Sequence, residues 1–538
     1  MVEQNITVSE ALIKFFKQNG IDTVFGVVGD AILPFVDALG KQTEVKFYAT
    51  SHESGAAFMA SYYAKLTGKI GVCIATSGPG CANLVNGLAD AYFDKAPVLA
   101  ITGQVQRKKI GTNAKQYINQ QTLIQSVSKS SELVTDAANI LSVVAKALIM
   151  AVSEHTVTHV SVPVDLFTQK VPNANFPEVA IKDSARWGSK YADALEESVM
   201  LLQSSQKPLL VIGKGQQAWR EVLTNLAEKL GAGIILAQQA KGVMPDRHPL
   251  VISGIGEAYL PAFLNEVDCI LLVGNASFET KFWPASAKVI QLVDNPENLD
   301  YLLLTKGIVG DVRQIMKVLS ERLNSNRNQN WQDKIVQEKQ NLENIIRVQV
   351  QNKTTPIHPA YLMTTLNKVI PEDAVIVCDD GGFIHWFDTY FQAQEHTVLV
   401  SSHWRSMGGG LPAALSACIA QKERKVIALV GDGGLLMSVG EIATAIKYQL
   451  PVVVVVANNH HYNLEKGKME SQGLIPFGCD LVVPDFAALA KAFGGEGKMV
   501  KKPEQLEIVL KESLTSSKPY IVDVQIDNVS LPFLQGGI

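Results

Sequence analysis

The sequence predicts an α/β protein made of three doubly wound parallel-sheet domains. Three observations carry that expectation. At 538 residues the chain has room for about three domains of roughly 150–200 residues each. Short, wholly apolar runs recur along it, such as Val426–Val430 and Pro451–Ala457; strands apolar on both faces belong to parallel sheets covered by helices on either side. Several of these runs end in glycine-rich turns that open helices, at Gly78-Pro79-Gly80 and Gly431-Asp432-Gly433-Gly434, the rhythm of βαβ units. The expected domains are residues 1–175, 190–325 and 355–538.

Bulk properties narrow the functional classes. Hydrophobic residues make up 47% and charged residues 19%, so large cores are expected and disorder is not. A net charge of −4 gives no electrostatic reason to expect nucleic acid. No apolar stretch reaches the ~18 residues that span a bilayer, so no membrane partner is expected. The opening MVEQNITVSEALIKFF lacks a basic flank followed by an apolar core, so no signal peptide is expected. Six scattered cysteines without a CxxC pair read as small buried hydrophobes of a reducing cytoplasm.

Taken in order, Thr7-Val8-Ser9-Glu10 resembles a capping box that opens a first helix. Strands are expected at Thr23–Gly29, Lys46–Ser51, Gly68–Ala75 and Pro97–Thr102, with helices near 31–39 and 81–93, and the domain closes near Val160–Asp165. Residues 171–190 read as a linker. Strands at 207–213, 233–237, 269–274 and 288–293 make a second α/β domain. Residues 324–355, rich in Asn, Gln and Lys, are expected to be a solvent-facing connector with one helical patch. Thr355-Pro356-Ile357-His358-Pro359 opens the third domain, where a strand at Val375–Cys378 precedes the most informative stretch of the chain.

That stretch is 426–464. An apolar strand leads to Gly431-Asp432-Gly433-Gly434, a helical pattern follows over 435–449, and a second apolar strand runs into Asn458-Asn459. A right-handed crossover sets the two strands parallel and adjacent. Asp432 and Asn459, 27 positions apart, then sit at the carboxyl ends of neighbouring strands, where open α/β sheets bind ligands. One carboxylate and one amide oxygen beside glycine amides suit a hard cation that bridges to a diphosphate. Gly-Asp-Gly followed by Asn-Asn at this spacing resembles the diphosphate- and magnesium-binding motif of thiamine diphosphate (ThDP) enzymes.

A second segment strengthens the resemblance. TSGPGCANLVNGLADAYFDKAPVLAITGQV at 76–105 is similar to the first domain of acetolactate synthases and pyruvate oxidases. The resemblance implies that Glu53 hydrogen-bonds the cofactor aminopyrimidine and drives loss of the thiazolium C2 proton. It implies that Gly80 and Asn83 line the same site, although Gly78 and Gly80 equally suit a tight turn stiffened by Pro79. Gln116 matches a Phe-Gln-Glu element beside the substrate, but Lys115 and Tyr117 depart from it. Lys115 reads either as a partner for a substrate carboxylate or as a solvated loop residue. Gly381 and Gly382 are candidates for a phosphate oxygen. Met407, in Ser406-Met407-Gly408-Gly409-Gly410-Leu411-Pro412, fits a wedge between the two cofactor rings, and otherwise a core methionine. Gly431, Gly433, Gly434, Tyr462 and Asn463 would line the cofactor. Asp432, Asn459 and the backbone carbonyl of His461 would hold Mg2+. The His461 side chain is a candidate proton shuttle. Asn463 stands where the family has glycine and is expected to keep the turn at positive φ. The segment His403-Trp404-Arg405 is unusual; His403 and Trp404 read either as substrate-facing or as packed.

The resemblance therefore implies three domains of the pyruvate oxidase and acetolactate synthase type, with one ThDP across the interface of a homodimer or homotetramer. Glu53 of one subunit would meet the pyrimidine, and Asp432 and Asn459 of the other the diphosphate. The implied reaction is ThDP- and Mg2+-dependent decarboxylation of a small 2-oxo acid, with carboligation to a second carbonyl. Alternatives are a flavin-dependent pyruvate oxidase, a non-oxidative decarboxylase, or a non-catalytic protein of the same fold. FAD is disfavoured: Val293 stands where an acidic residue would meet the nucleotide, and Asp294, one place on, would point to the opposite face of a strand. LPFLQGGI follows soon after a last expected strand at 520–526, so the membrane-peptide extension of some quinone-reducing pyruvate oxidases is not expected.

Overall fold

The computed structural model describes residues 5–173, 189–254, 259–276, 279–325, 328–351 and 353–529. Most of the expected linker and the terminal LPFLQGGI lie outside the described residues.

The first sheet holds β1 (Thr23–Gly26), β2 (Lys46–Ala49), β3 (Gly71–Ala75), β4 (Val98–Gln104), β5 (Ser130–Leu133) and β6 (Val157–Pro163), in the order β2-β1-β3-β4-β6-β5 and all parallel. Its helices include α1 (Val8–Gln18), α2 (Glu53–Thr67) and α3 (Pro79–Phe93). The capping box on α1 forms: Glu10 N donates to Thr7 Oγ1 at 3.2 Å and Thr7 N to Glu10 Oε2 at 2.7 Å. The helix expected from residue 81 starts at Pro79, whose fixed φ suits a first helical turn.

The second sheet holds β7 (Pro208–Ile212), β8 (Gly233–Leu236), β9 (Val251–Ser253), β10 (Cys269–Val273), β11 (Lys288–Val293) and β12 (Lys306–Val309), in the order β9-β8-β7-β10-β11-β12. The expected connector is instead α4, a helix of 21 residues from Gln329 to Gln349. Trp331, Ile335, Lys339 and Leu342 lie buried along it. The Trp331 indole donates to the Pro208 carbonyl at 3.0 Å and meets Phe263 edge-on. Its overall polarity hid a narrow apolar stripe that packs on the second domain.

The third sheet holds β13 (Val375–Cys378), β14 (Thr397–Leu399), β15 (Val426–Gly431), β16 (Val453–Asn458), β17 (Glu496–Val500) and β18 (Tyr520–Gln525). Its order, β14-β13-β15-β16-β18-β17, repeats the topology of the first sheet. The apolar run of β16 serves two cores. Val452, Val454 and Val456 join a cluster shared with α2 of the first domain, whereas Val453, Val455 and Ala457 join the core continuous with the second domain. α5 (Gly410–Ala420) packs on α2, and Ala413, Ala414 and Ala417 of the one share a core cluster with Ala56, Ala57 and Ala60 of the other. The helical pattern expected over 435–449 is broken into α6 (Asp432–Ser438) and α7 (Glu441–Lys447), and α8 (Asn463–Ser471) follows β16. Among the described residues no helix is long and apolar enough to cross a membrane.

Candidate active site

In the third sheet β13 lies between β14 and β15, so the connections from β13 and β15 leave in opposite directions. A crevice opens at such a switch point, outside the carboxyl ends of the strands. Asp379–Gly382 follow β13, Gly431–Gly434 follow β15, and Asn459–Asn463 follow β16. These segments and Met407 line one cavity of about 520 Å³. It gathers Gly381, Gly382, Met407, Gly431, Asp432, Gly433, Gly434, Asn459, His461, Tyr462 and Asn463 from the positions that the sequence singled out.

Register places the two motif halves together, since Gly431 of β15 pairs with Ala457 of β16. Asp432 is buried; its Oδ1 accepts from Gly433 N at 2.8 Å and its Oδ2 from His460 N at 2.6 Å. Burial pushes its carboxyl above the ordinary range, and those amides pull it back. Asn459 Oδ1 accepts from His461 N at 3.1 Å. The turn takes its positive φ at His460 (+62°), not at Asn463, which instead opens α8. The glycines are required by space: a Cβ on Gly433 would stand 2.6 Å from the Tyr462 ring, and one on Gly434 2.5 Å from Asp379 Oδ2. The His461 ring is held by its own chain, with Nδ1 2.7 Å from the Asn459 carbonyl and Nε2 3.0 Å from Asp480 Oδ1.

Sequence reasoning missed Asp379. This buried carboxylate accepts from Gly408 N at 2.9 Å and Gly410 N at 3.2 Å, and so fixes the loop that presents Met407. Burial pushes it up to about 7. The only signal was an acidic pair, Asp379-Asp380, at a strand end ahead of a triple glycine.

The first domain assembles a second group. Glu53 is the first residue of α2, and its Oε2 accepts from Asn83 Nδ2 at 3.0 Å. A Cβ on Gly80 would lie 3.3 Å from Glu53 Oε1. Gln116, at φ +63°, lays its carbonyl where a Cβ on Gly78 would stand 2.7 Å away. Glu53, Gly80, Asn83 and Gln116 thus form one patch, but none of them lines the cavity of the third domain. Lys115 is exposed, and Tyr117 is partly buried.

Trp404 and His403 do not face that cavity. The Trp404 ring stacks on Phe93 at 5.3 Å, and its Nε1 donates to Asn86 Oδ1 at 2.7 Å. Ser402 Oγ and His403 N donate to the buried Asp94 carboxylate at 2.6 and 3.2 Å. Lys65 bridges Asp94 to Asp90, with both contacts at 2.7 Å. Arg405 alone of the three lines the cavity. In the second domain β11 ends at the buried Val293, and Asp294 lies just past the strand, exposed, accepting from Asn298 Nδ2 at 3.3 Å.

The donor set fits the implied group. Among the described residues no cluster of three His, Cys, Asp or Glu side chains could hold a metal ion. Asp432 and Asn459, whose side chains carry hard oxygen atoms, line the cavity together with His461, whose carbonyl the resemblance assigns as a third ligand. Such a set suits Mg2+ that completes its shell with diphosphate oxygens.

Fold and site together define a protein with two matching α/β domains around a central one, a layout that comparison with known proteins places in a family. The models of the thiamine pyrophosphate enzyme N-terminal TPP binding, central and C-terminal TPP binding domains match residues 6–123, 195–319 and 379–524. The chain belongs to the thiamine pyrophosphate enzymes. It is 31% identical over 528 residues to the putative thiamine pyrophosphate-containing protein YdaP of Bacillus subtilis (strain 168), covering 97% of this chain and 92% of that one. The acetolactate synthase isozyme 2 large subunit of Escherichia coli (strain K12) is 30% identical, over 95% of this chain and 94% of its own. A probable acetolactate synthase large subunit of Methanocaldococcus jannaschii is 29% identical, over 98% and 93%.

Proposed function

We propose that the protein decarboxylates a small 2-oxo acid with ThDP and Mg2+, and joins the remaining acyl unit to a second carbonyl, in the manner of acetolactate synthase. The observation that carries this reading is the contact of Asp432 with the His460 amide at 2.6 Å, which sets one carboxylate and Asn459 at the mouth of a glycine-lined cavity. Relatives named acetolactate synthase over nearly the whole chain support the reaction class.

When bound, ThDP supplies the carbon nucleophile and the electron sink for decarboxylation. The chain's residues do the rest. Asp432, Asn459 and the His461 carbonyl would hold the cation, and the glycine turns at Gly381-Gly382 and Gly433-Gly434 would let the backbone approach the diphosphate. Met407, on a loop fixed by Asp379, would wedge against the cofactor rings. Glu53, oriented by Asn83, would exchange a proton with a pyrimidine ring nitrogen. Gln116 lies beside the substrate. The His461 ring passes a proton by way of Asp480, a carboxylate 91% exposed to solvent. Glu53 does not line the cavity that contains Asp432, which supports a reading in which two copies complete each site, as a homodimer or a dimer of dimers. FAD is not required by this reaction.

The test is a screen of 2-oxo acids paired with carbonyl acceptors, with products identified by mass spectrometry. Carboligated hydroxy-ketone or hydroxy-acid products support the proposal. Free aldehyde alone would reduce it to a decarboxylase, and flavin absorbance with peroxide or reduced acceptor would make it an oxidase.

A further inference from the structure

Arg405 has no role in the reading above, and its setting is unusual. Its backbone is held at φ +53°, in the left-handed region where a glycine would cost less. Its amide is tied back to Ser401 Oγ at 2.9 Å. The side chain lines the same cavity as Met407, Asp432 and the glycine turns. Three carboxylates also line that cavity, those of Asp380, Asp432 and Glu465, and Arg405 is the one Lys or Arg among the lining residues. Lys468 lies close enough to act on Asp380 through space, but it is paired with Glu465 at 2.9 Å. A cavity meant for an anionic ligand therefore draws its permanent positive charge from one residue.

The guanidinium is fixed from two domains. Nε and Nη2 lie 3.2 and 3.0 Å from Asp380 Oδ1, and Nη1 lies 3.2 Å from Gln238 Oε1 of the second domain. Of the five N–H donors, these contacts use three and leave one on each terminal nitrogen. The remaining N–H groups of a planar guanidinium can donate to the oxygens of a carboxylate or phosphate. Resting on the functional reading above, we infer that Arg405 is an anion-binding residue of this cavity: Asp380 and Gln238 orient its fork, which binds a carboxylate or phosphate group of the ligand. The two sources of that group are the substrate acid and the cofactor diphosphate.

The experiment compares wild type, R405Q and R405K. Calorimetry gives the affinities for ThDP with Mg2+ and for inorganic pyrophosphate with Mg2+, steady-state kinetics with pyruvate or the best acid of the screen give kcat and KM, and thermal melting is followed in parallel. A loss of at least tenfold in both calorimetric affinities for R405Q assigns the fork to the diphosphate. Unchanged calorimetric affinities, with KM raised at least tenfold and kcat within threefold, assign it to the substrate carboxylate. Either result supports the inference. Binding and KM within twofold of wild type, with only a lowered melting temperature, reduce Arg405 to a strut between domains and overturn it. R405K keeps the charge but loses the fork, and is expected to lose at least threefold in the affinity concerned. R405K at wild-type values overturns the inference even if R405Q does not fold. Wild type that binds pyrophosphate but not ThDP ends the functional reading without touching the role of Arg405.

Discussion

Asp432 combines several features at the scale of one residue: it follows a strand directly, starts a helix and lines the cavity, where the proposed reading has it hold the cation. Asp432→Ala should therefore weaken Mg2+ and ThDP together, each by tenfold or more, in calorimetry; loss of one without the other would separate the two sites. Glu53→Gln keeps an acceptor for Asn83 but cannot exchange the proton. It should bind ThDP within a few-fold of wild type and turn over about 10²–10⁴ times more slowly. Asp379 gives a pH prediction. Its folded-state value of about 7 lies above the ordinary 3.8, so between those values the native protein holds a proton that the unfolded chain has lost. Stability therefore falls as pH rises through that window, and Asp379→Asn should flatten the slope of melting temperature against pH between 4 and 7. An unchanged slope would show that Asp379 is not the titrating group. The positions of Asp432, Asn459 and Glu53 were legible because each follows closely on a strand and stands at or just before a helix. Asp379 was not, because what it does depends on Gly408 and Gly410, which tertiary folding brings to it.

At the scale of elements, α3 links the two groups of site residues. Its first turns carry Gly80 and Asn83 beside Glu53, and its later turns offer Asn86 and Phe93, with Asp94 as its cap, to the loop that leads to Met407. The buried Asp94 carboxylate is held well below the ordinary range, chiefly by the neighbouring Lys65 ammonium against the cost of burial. Asp94→Ala leaves that ammonium half-paired and the Ser402 and His403 amides without an acceptor. A loss of about 3–5 kcal/mol is expected, visible as a lower denaturation midpoint, with weaker ThDP binding because the Met407 loop is released. Wild-type affinity in a folded Asp94→Ala would mean that the loop holds itself. The sequence marked His403 and Trp404 as odd but did not disclose that they dock on α3, since the partners lie more than three hundred positions away. The same limit explains α4, whose buried stripe is spread thinly through a polar helix, and the break between α6 and α7, where the pattern ran on without a proline.

For the whole molecule, the sequence displayed the three domains and their parallel strands, because a strand apolar on both faces needs a sheet with helices on either side. It hid that the first and third sheets share one strand order, which rests on connections and not on residue identity. That shared order puts Glu53 past the carboxyl end of β2 in the first sheet, and the cavity with Asp432 at the carboxyl ends of the strands in the other. Around that cavity, Leu474, Ile475, Phe477 and Val482 are exposed, Phe477 at 89% and Val482 at 99%. A group of exposed apolar side chains suits an interface more than open solvent. If each cofactor spans two copies, E53Q and D432A chains damage opposite halves of a site. Mixed after joint refolding or co-expression, about half the dimers carry both chains, and in each of these one site combines both lesions while the other has neither. Activity should then recover to about a quarter of wild type, although each variant alone is nearly inactive. If one chain holds a complete site, every site in the mixture keeps a lesion and no activity returns.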